Sequence, residues 1–83
     1  MTDKASIEQA IIGLIDGIRP GAPVPTVDTN ITESGTLDSL DFVDLVFQVQ
    51  ERFGIAIPDE DIEAHDLRVL GSLVEYVAHR AAG

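Results

Sequence analysis

Ile7, Ile11, Leu14, Ile15 and Ile18 recur at i, i+4, i+7, i+8 and i+11, and Leu70, Leu73, Val74 and Val77 recur at i, i+3, i+4 and i+7. Each set lines one face of a helix turning about 100° per residue. No stretch shows the strict alternation of apolar and polar residues that marks a half-buried strand. Such a chain removes its apolar faces from water by packing helix on helix. Its 83 residues hold material for one small core and not for two, so residues 1–83 are expected to form one all-α domain. Apolar residues make up 45% of the chain, too many for disorder.

Arg19-Pro20-Gly21 stops the first helix. Residues 19–37 then hold three prolines, two glycines and the polar run Thr26 to Ser34, with Val24, Val27 and Ile31 as the expected apolar anchors. A loop this long in a small domain points to function at its ends. Its far end is Asp38-Ser39, from which a second helix is predicted to run to about Phe53, with Gly54 as its C-terminal cap. After Ile55, Ile57 and Pro58, the acids Asp59, Glu60, Asp61 and Glu63 surround Ile62 in a short helix whose first turn suits the helix dipole. The last helix carries Leu70 to Val77 and is expected to fray at Ala81-Ala82-Gly83. The architecture implied is a small four-helix bundle of three longer helices and one short one, with a long loop between the first and second.

The second helix carries two apolar stripes. Phe42, Leu45, Val46, Val49 and Phe53 project into one sector, the core face. Leu40, Val43 and Phe47 project nearly opposite, among Asp41, Asp44 and Glu51. Three large apolar residues among carboxylates suit a docking face for a basic, partly apolar partner. They are equally what another helix of the bundle would cover, or single exposed residues without consequence.

Fifteen acids against five bases give a net charge of -10. Nine of the acids and one base, Arg52, fall between residues 38 and 66. This charge repels nucleic acid and anionic lipid surfaces and favours basic protein patches. With no cysteine there is no disulfide, thiolate metal site or cysteine nucleophile, which suits the cytoplasm. Asp3, Lys4, Glu8, Asp16 and Arg19 interrupt any signal-peptide core, and no apolar run reaches the length of a membrane span.

The one nucleophilic combination is Ser39 with Asp38 and His65 or His79, and it lacks the glycines of a nucleophile elbow. No catalytic residue is therefore assigned, and the histidines are read as surface or capping residues. A calcium loop starting at Asp59 requires Gly and Glu where the chain has Ala64 and Leu70, so no metal site is assigned either.

Asp and Ser are the commonest N-cap residues, and on that ground alone the Ser39 hydroxyl is a capping group. A helix start also welcomes a phosphate, through free N–H groups and the positive dipole end. Asp38-Ser39-Leu40-Asp41, Val43-Asp44-Leu45-Val46, Glu51-Arg52-Phe53-Gly54, Ile57-Pro58-Asp59-Glu60-Asp61 and Leu73-Val74-Glu75-Tyr76-Val77, in register along nearly the whole chain, resemble the acyl carrier proteins.

The resemblance implies a freestanding, non-catalytic carrier, a monomer, whose Ser39 is esterified by 4'-phosphopantetheine from coenzyme A. A separate phosphopantetheinyl transferase would do this, with Asp38 helping to position magnesium. The arm would hold acyl or aminoacyl groups as thioesters, and the second helix would be read by loading and processing enzymes through Leu40, Asp41, Val43, Asp44, Phe47 and Glu51. Four features depart from fatty-acid members. Gly35-Thr36-Leu37 replaces their Leu-Gly-Ala, Gln50 an acid and Phe42 a small residue, and residues 64–69 run about two longer. These favour a specialised lipid, polyketide or aminoacyl pathway, with cargo that is short, polar or left outside the interior filled by Phe42. The rival reading is an unmodified acidic interaction module with the same fold.

Overall fold

Asp3 opens the first helix by accepting a hydrogen bond from the Ser6 N–H on its Oδ1 at 2.7 Å, and that bond holds its carboxyl below the ordinary carboxylate range. The structure, a computed structural model, describes residues 3–82. Four helices follow in order: α1 (Lys4–Ile18), α2 (Ser39–Phe53), α3 (Asp59–Ala64) and α4 (Leu70–Ala82). This is the expected all-α bundle, with three longer helices and one short one.

The predicted faces are the buried ones. Ile7, Ile11 and Ile15 of α1 meet Leu45 and Val49 of α2 and Leu73 and Val77 of α4 in one core, with α1 packed against both of the other long helices. Phe53, placed by its spacing on the core face, is half-buried at its edge. Gly54 closes α2 at φ +66°, a left-handed cap that a side chain would strain. Fraying of α4 was expected at Ala81-Ala82-Gly83, but the helix continues through Ala82; Gly83 lies outside the described residues.

The long loop departs from expectation in its anchors. Val24 and Val27 are exposed, while Ile31, Leu37 and Pro25 are buried. Val24 precedes Pro25, which forces it toward extended backbone, and neighbouring side chains on extended chain point to opposite sides. Burying Pro25 therefore turns Val24 outward.

Backbone bonds then strap the loop to the start of α4. Ile31 N–H donates to the Arg68 carbonyl at 2.7 Å, Leu70 N–H to Thr29 at 3.0 Å and Gly71 N–H to Val27 at 2.9 Å, around an antiparallel bridge between Asn30 and Val69. Gly71 permits this approach, because a Cβ there would lie 2.7 Å from the Val27 carbonyl oxygen. The α3–α4 connection turns at Asp66, whose φ of +52° is left-handed. That turn sends Leu67 into the core and leaves Arg68 beside α2.

Candidate functional site

The loop delivers the chain to α2 on firm footing. Thr36 and Leu37 are buried, and the Leu37 N–H donates to the Ile31 carbonyl at 3.1 Å. The next residue, Asp38, is the N-cap of α2, its Oδ1 accepting from the Asp41 N–H at 2.8 Å. Ser39 is the first helical residue, one position past the cap. Its side chain is exposed and makes no hydrogen bond among the described residues. The expectation that the Ser39 hydroxyl caps the helix is corrected: Asp38 alone fills that role, which leaves the serine oxygen free for chemistry.

The second stripe of α2 is uncovered. Leu40, Val43 and Phe47 are 81%, 65% and 57% exposed, so no other helix of the described chain packs over them. Asp44 and Glu51 are exposed beside them and Asp41 is half-buried. The core stripe behaves as its spacing requires, with Phe42, Leu45, Val46 and Val49 buried.

A groove of about 540 Å³ runs between α2 and α3, and Ser39 stands on its wall. Phe42, Val46, Ile57 and Ile62 give it an apolar lining, to which Gln50 and Arg68 add polar groups. Phe42 is buried as expected, but the space beside it is open, so the ring is a wall of the groove. Gln50 uses its side chain locally: its Oε1 accepts from the Ile57 N–H at 2.8 Å and ties down the connection to α3.

Helix α3 contributes no fully buried residue. Ile62 packs half-buried against the core, and polar contacts add to that hold. Asp61 Oδ2 accepts from the Tyr76 hydroxyl at 2.6 Å and from Arg80 Nη2 at 3.0 Å. Burial first, and this bond second, push the Tyr76 phenol up to about 12. On the groove side, Arg68 Nη1 donates to Glu63 Oε1 at 2.9 Å, with its guanidinium carbon 5.6 Å from the centre of the Phe42 ring. His65 is exposed and closes α3, its N–H donating to the Asp61 carbonyl at 2.9 Å. His79 is exposed on α4. Among the described residues, no group of three or more His, Asp or Glu side chains is placed to hold a metal ion, and no helix is long and apolar enough to cross a membrane.

The roles of Arg68, Asp61 and Tyr76 escape sequence reasoning because each depends on a partner far along the chain. The one local signal is that Arg68 is the lone Lys or Arg in residues 64–69.

The described residues thus form a four-helix bundle with an exposed serine at the head of its second helix and a groove beside it. The chain belongs to the phosphopantetheine attachment site family, whose model matches residues 9–77. It is 35% identical to the acyl carrier protein of Acidothermus cellulolyticus over 89% of this chain and 90% of that one. It is 31% identical to that of Kineococcus radiotolerans over 89% and 94%, and 32% identical to the meromycolate extension acyl carrier protein of Mycolicibacterium aurum over 88% and 77%. No solved structure matches. The chain is thus a phosphopantetheine-dependent carrier of the acyl carrier type, and carriers of this family are not themselves catalysts.

Proposed function

We propose that Ser39 is the residue that bears 4'-phosphopantetheine and that partner enzymes seat on the exposed stripe of α2. The observation that carries this reading is an exposed serine hydroxyl, free of bonds within the described residues, directly after a carboxylate that already caps the helix. Remaining first-turn N–H groups and the dipole favour a phosphodiester there. Ser39 supplies the oxygen that is esterified: it loses its proton and bonds to the pantetheine-side phosphorus of coenzyme A, the pyrophosphate P–O bond breaks, and the adenosine bisphosphate half leaves, with a phosphopantetheinyl transferase as the catalyst. Asp38, whose carboxylate is fixed by its bond to the Asp41 N–H, would help to position the magnesium ion of that reaction. When bound, the arm supplies the thiol this cysteine-free chain lacks, on which acyl or aminoacyl groups are held as thioesters.

The docking face divides its work by chemistry. Leu40, Val43 and Phe47 supply apolar contact area, while Asp41, Asp44 and Glu51 form an acidic rim that speeds and orients encounter with basic patches. The partners are the transferase and the enzymes that load and process the cargo. The carrier works as a cytoplasmic monomer, and its pathway is a specialised one; the buried Phe42 and the neutral Gln50 support the second of these readings.

Intact mass after incubation with coenzyme A and a transferase tests the assignment. The wild type gains one arm and Ser39→Ala gains none. Full labelling of Ser39→Ala would sink it, and an unmodified protein from the native source would favour an interaction module that never carries an arm.

A further inference from the structure

We infer that Arg68 holds the arm's phosphodiester against the groove, giving up Glu63 to do so; this rests on Ser39 being the attachment point. Among the residues lining the groove that Ser39 borders, Arg68 is the one base. Its guanidinium stands over the Phe42 ring, and Phe42 follows Ser39 by three residues, so the two side chains are neighbours on the surface of α2. The backbone of Arg68 is fixed on both sides. Leu67 is buried before it, and its own carbonyl accepts the Ile31 N–H.

A guanidinium has five N–H donors in a planar fork. One of them reaches Glu63, whose side chain is 78% exposed, and an exposed pair of this kind contributes little. A phosphodiester presents two non-bridging oxygens that share one negative charge and can take the fork bidentately, as a carboxylate can; joined to Ser39, it is also tethered on the groove that Arg68 lines. The other charged groups on that side, Asp38, Asp41, Asp59 and Glu63, repel a phosphodiester, so Arg68 is the counter-charge the site provides. Glu63 belongs to α3, so the exchange releases a side chain of α3 at little cost. Modification at Ser39 is thereby felt across the groove.

The test compares apo and cargo-free holo protein, wild type and Arg68→Met, after intact mass has established loading in each sample. The readouts are thermal midpoint, the phosphorus resonance of the arm and the Arg68 Nε–H resonance. The change in midpoint on loading should be more favourable in wild type than in Arg68→Met by about 4 °C or more, the size of one charge-assisted hydrogen bond in a domain this small. Arg68→Lys should keep part of that difference, and added salt should shrink it. The phosphorus resonance should differ between wild type and Arg68→Met. Glu63→Gln, which leaves the Phe42 contact untouched, should enlarge the gain on loading, and this variant decides the matter if Arg68→Met folds poorly. Equal changes on loading with an unmoved phosphorus resonance overturn the inference. An Arg68 resonance that moves while the phosphorus does not would place the contact on the arm's amides and overturn the phosphodiester assignment. Full labelling of Ser39→Ala, or a wild type that gains no mass, would instead overturn Ser39 as the attachment point.

Discussion

Replacing Asp61 by alanine removes the acceptor shared by Tyr76 and Arg80, and the structure sets the size of the effect. Tyr76 is a buried residue whose half-buried hydroxyl bonds to Asp61 at 2.6 Å. A hydrogen bond to a charged acceptor is worth about 1.5 to 3 kcal/mol, and leaving the hydroxyl without a partner falls in the same range. The Arg80 contact at 3.0 Å involves a guanidinium side chain 45% exposed, so solvent screening holds it below about 1 kcal/mol. Asp61→Ala should therefore cost about 2 to 3 kcal/mol, which lowers the midpoint by on the order of 10 °C in a domain of this length. Urea unfolding followed by far-UV circular dichroism measures the loss. A double-mutant cycle with Tyr76→Phe should return a coupling of about 1 kcal/mol or more. A loss below about 0.5 kcal/mol, or no coupling, would refute the assignment of α3's attachment to this contact. The same pair gives stability a pH dependence. The folded phenol titrates near 12, above its ordinary value of about 10, so the folded state holds its proton more tightly. The contribution is complete below pH 10 and is lost as pH rises from about 10 to 12.

Other consequences are checked more simply. Because Asp38 rather than Ser39 caps α2, Ser39→Ala should change stability by less than about 0.5 kcal/mol, whereas Asp38→Ala should cost about 1 kcal/mol; urea titrations of the two apo variants distinguish them. Asp44→Lys should slow modification by the transferase at low salt while leaving helicity unchanged, and a wild-type rate there would end the docking-face reading. Phe42→Ala should cost about 3 to 5 kcal/mol and widen the groove, so that a long acyl chain on the arm recovers part of the loss. A long chain that stabilises wild type and variant equally would show that the ring does not limit the groove.

What the sequence discloses here is whatever repeats locally. The isoleucines of α1 and the Leu70 to Val77 set are one-turn patterns, and each became a buried face. The two stripes of α2 are equally local, which is why the exposed one was separable from the core one before any fold was known. Side chains whose roles are set by distant partners are not legible this way. Val27 reads as an apolar anchor, yet its carbonyl rather than its side chain does the anchoring, through Gly71. Arg68 reads as a lone base until the Asp66 turn brings it over Phe42. Adjacent Asp38 and Ser39 are both good capping residues by type, and only the backbone geometry decides between them.

The strap between the loop and the start of α4 has a kinetic side. Buried Thr36 and Leu37, the Leu37 bond to Ile31 and the bonds from residues 27–31 to residues 68–71 bring the chain to Ser39 without a slack segment. A group joined to Ser39 therefore swings from a fixed pivot, and the volume it searches is set by the tether alone. For a partner seated on Leu40, Val43 and Phe47, the distance from its own reactive centre to that pivot sets the effective concentration of the tethered group. Because Ser39 opens the same helix that carries those three residues, α2 itself fixes that distance, and the strap holds the pivot in place against the rest of the bundle.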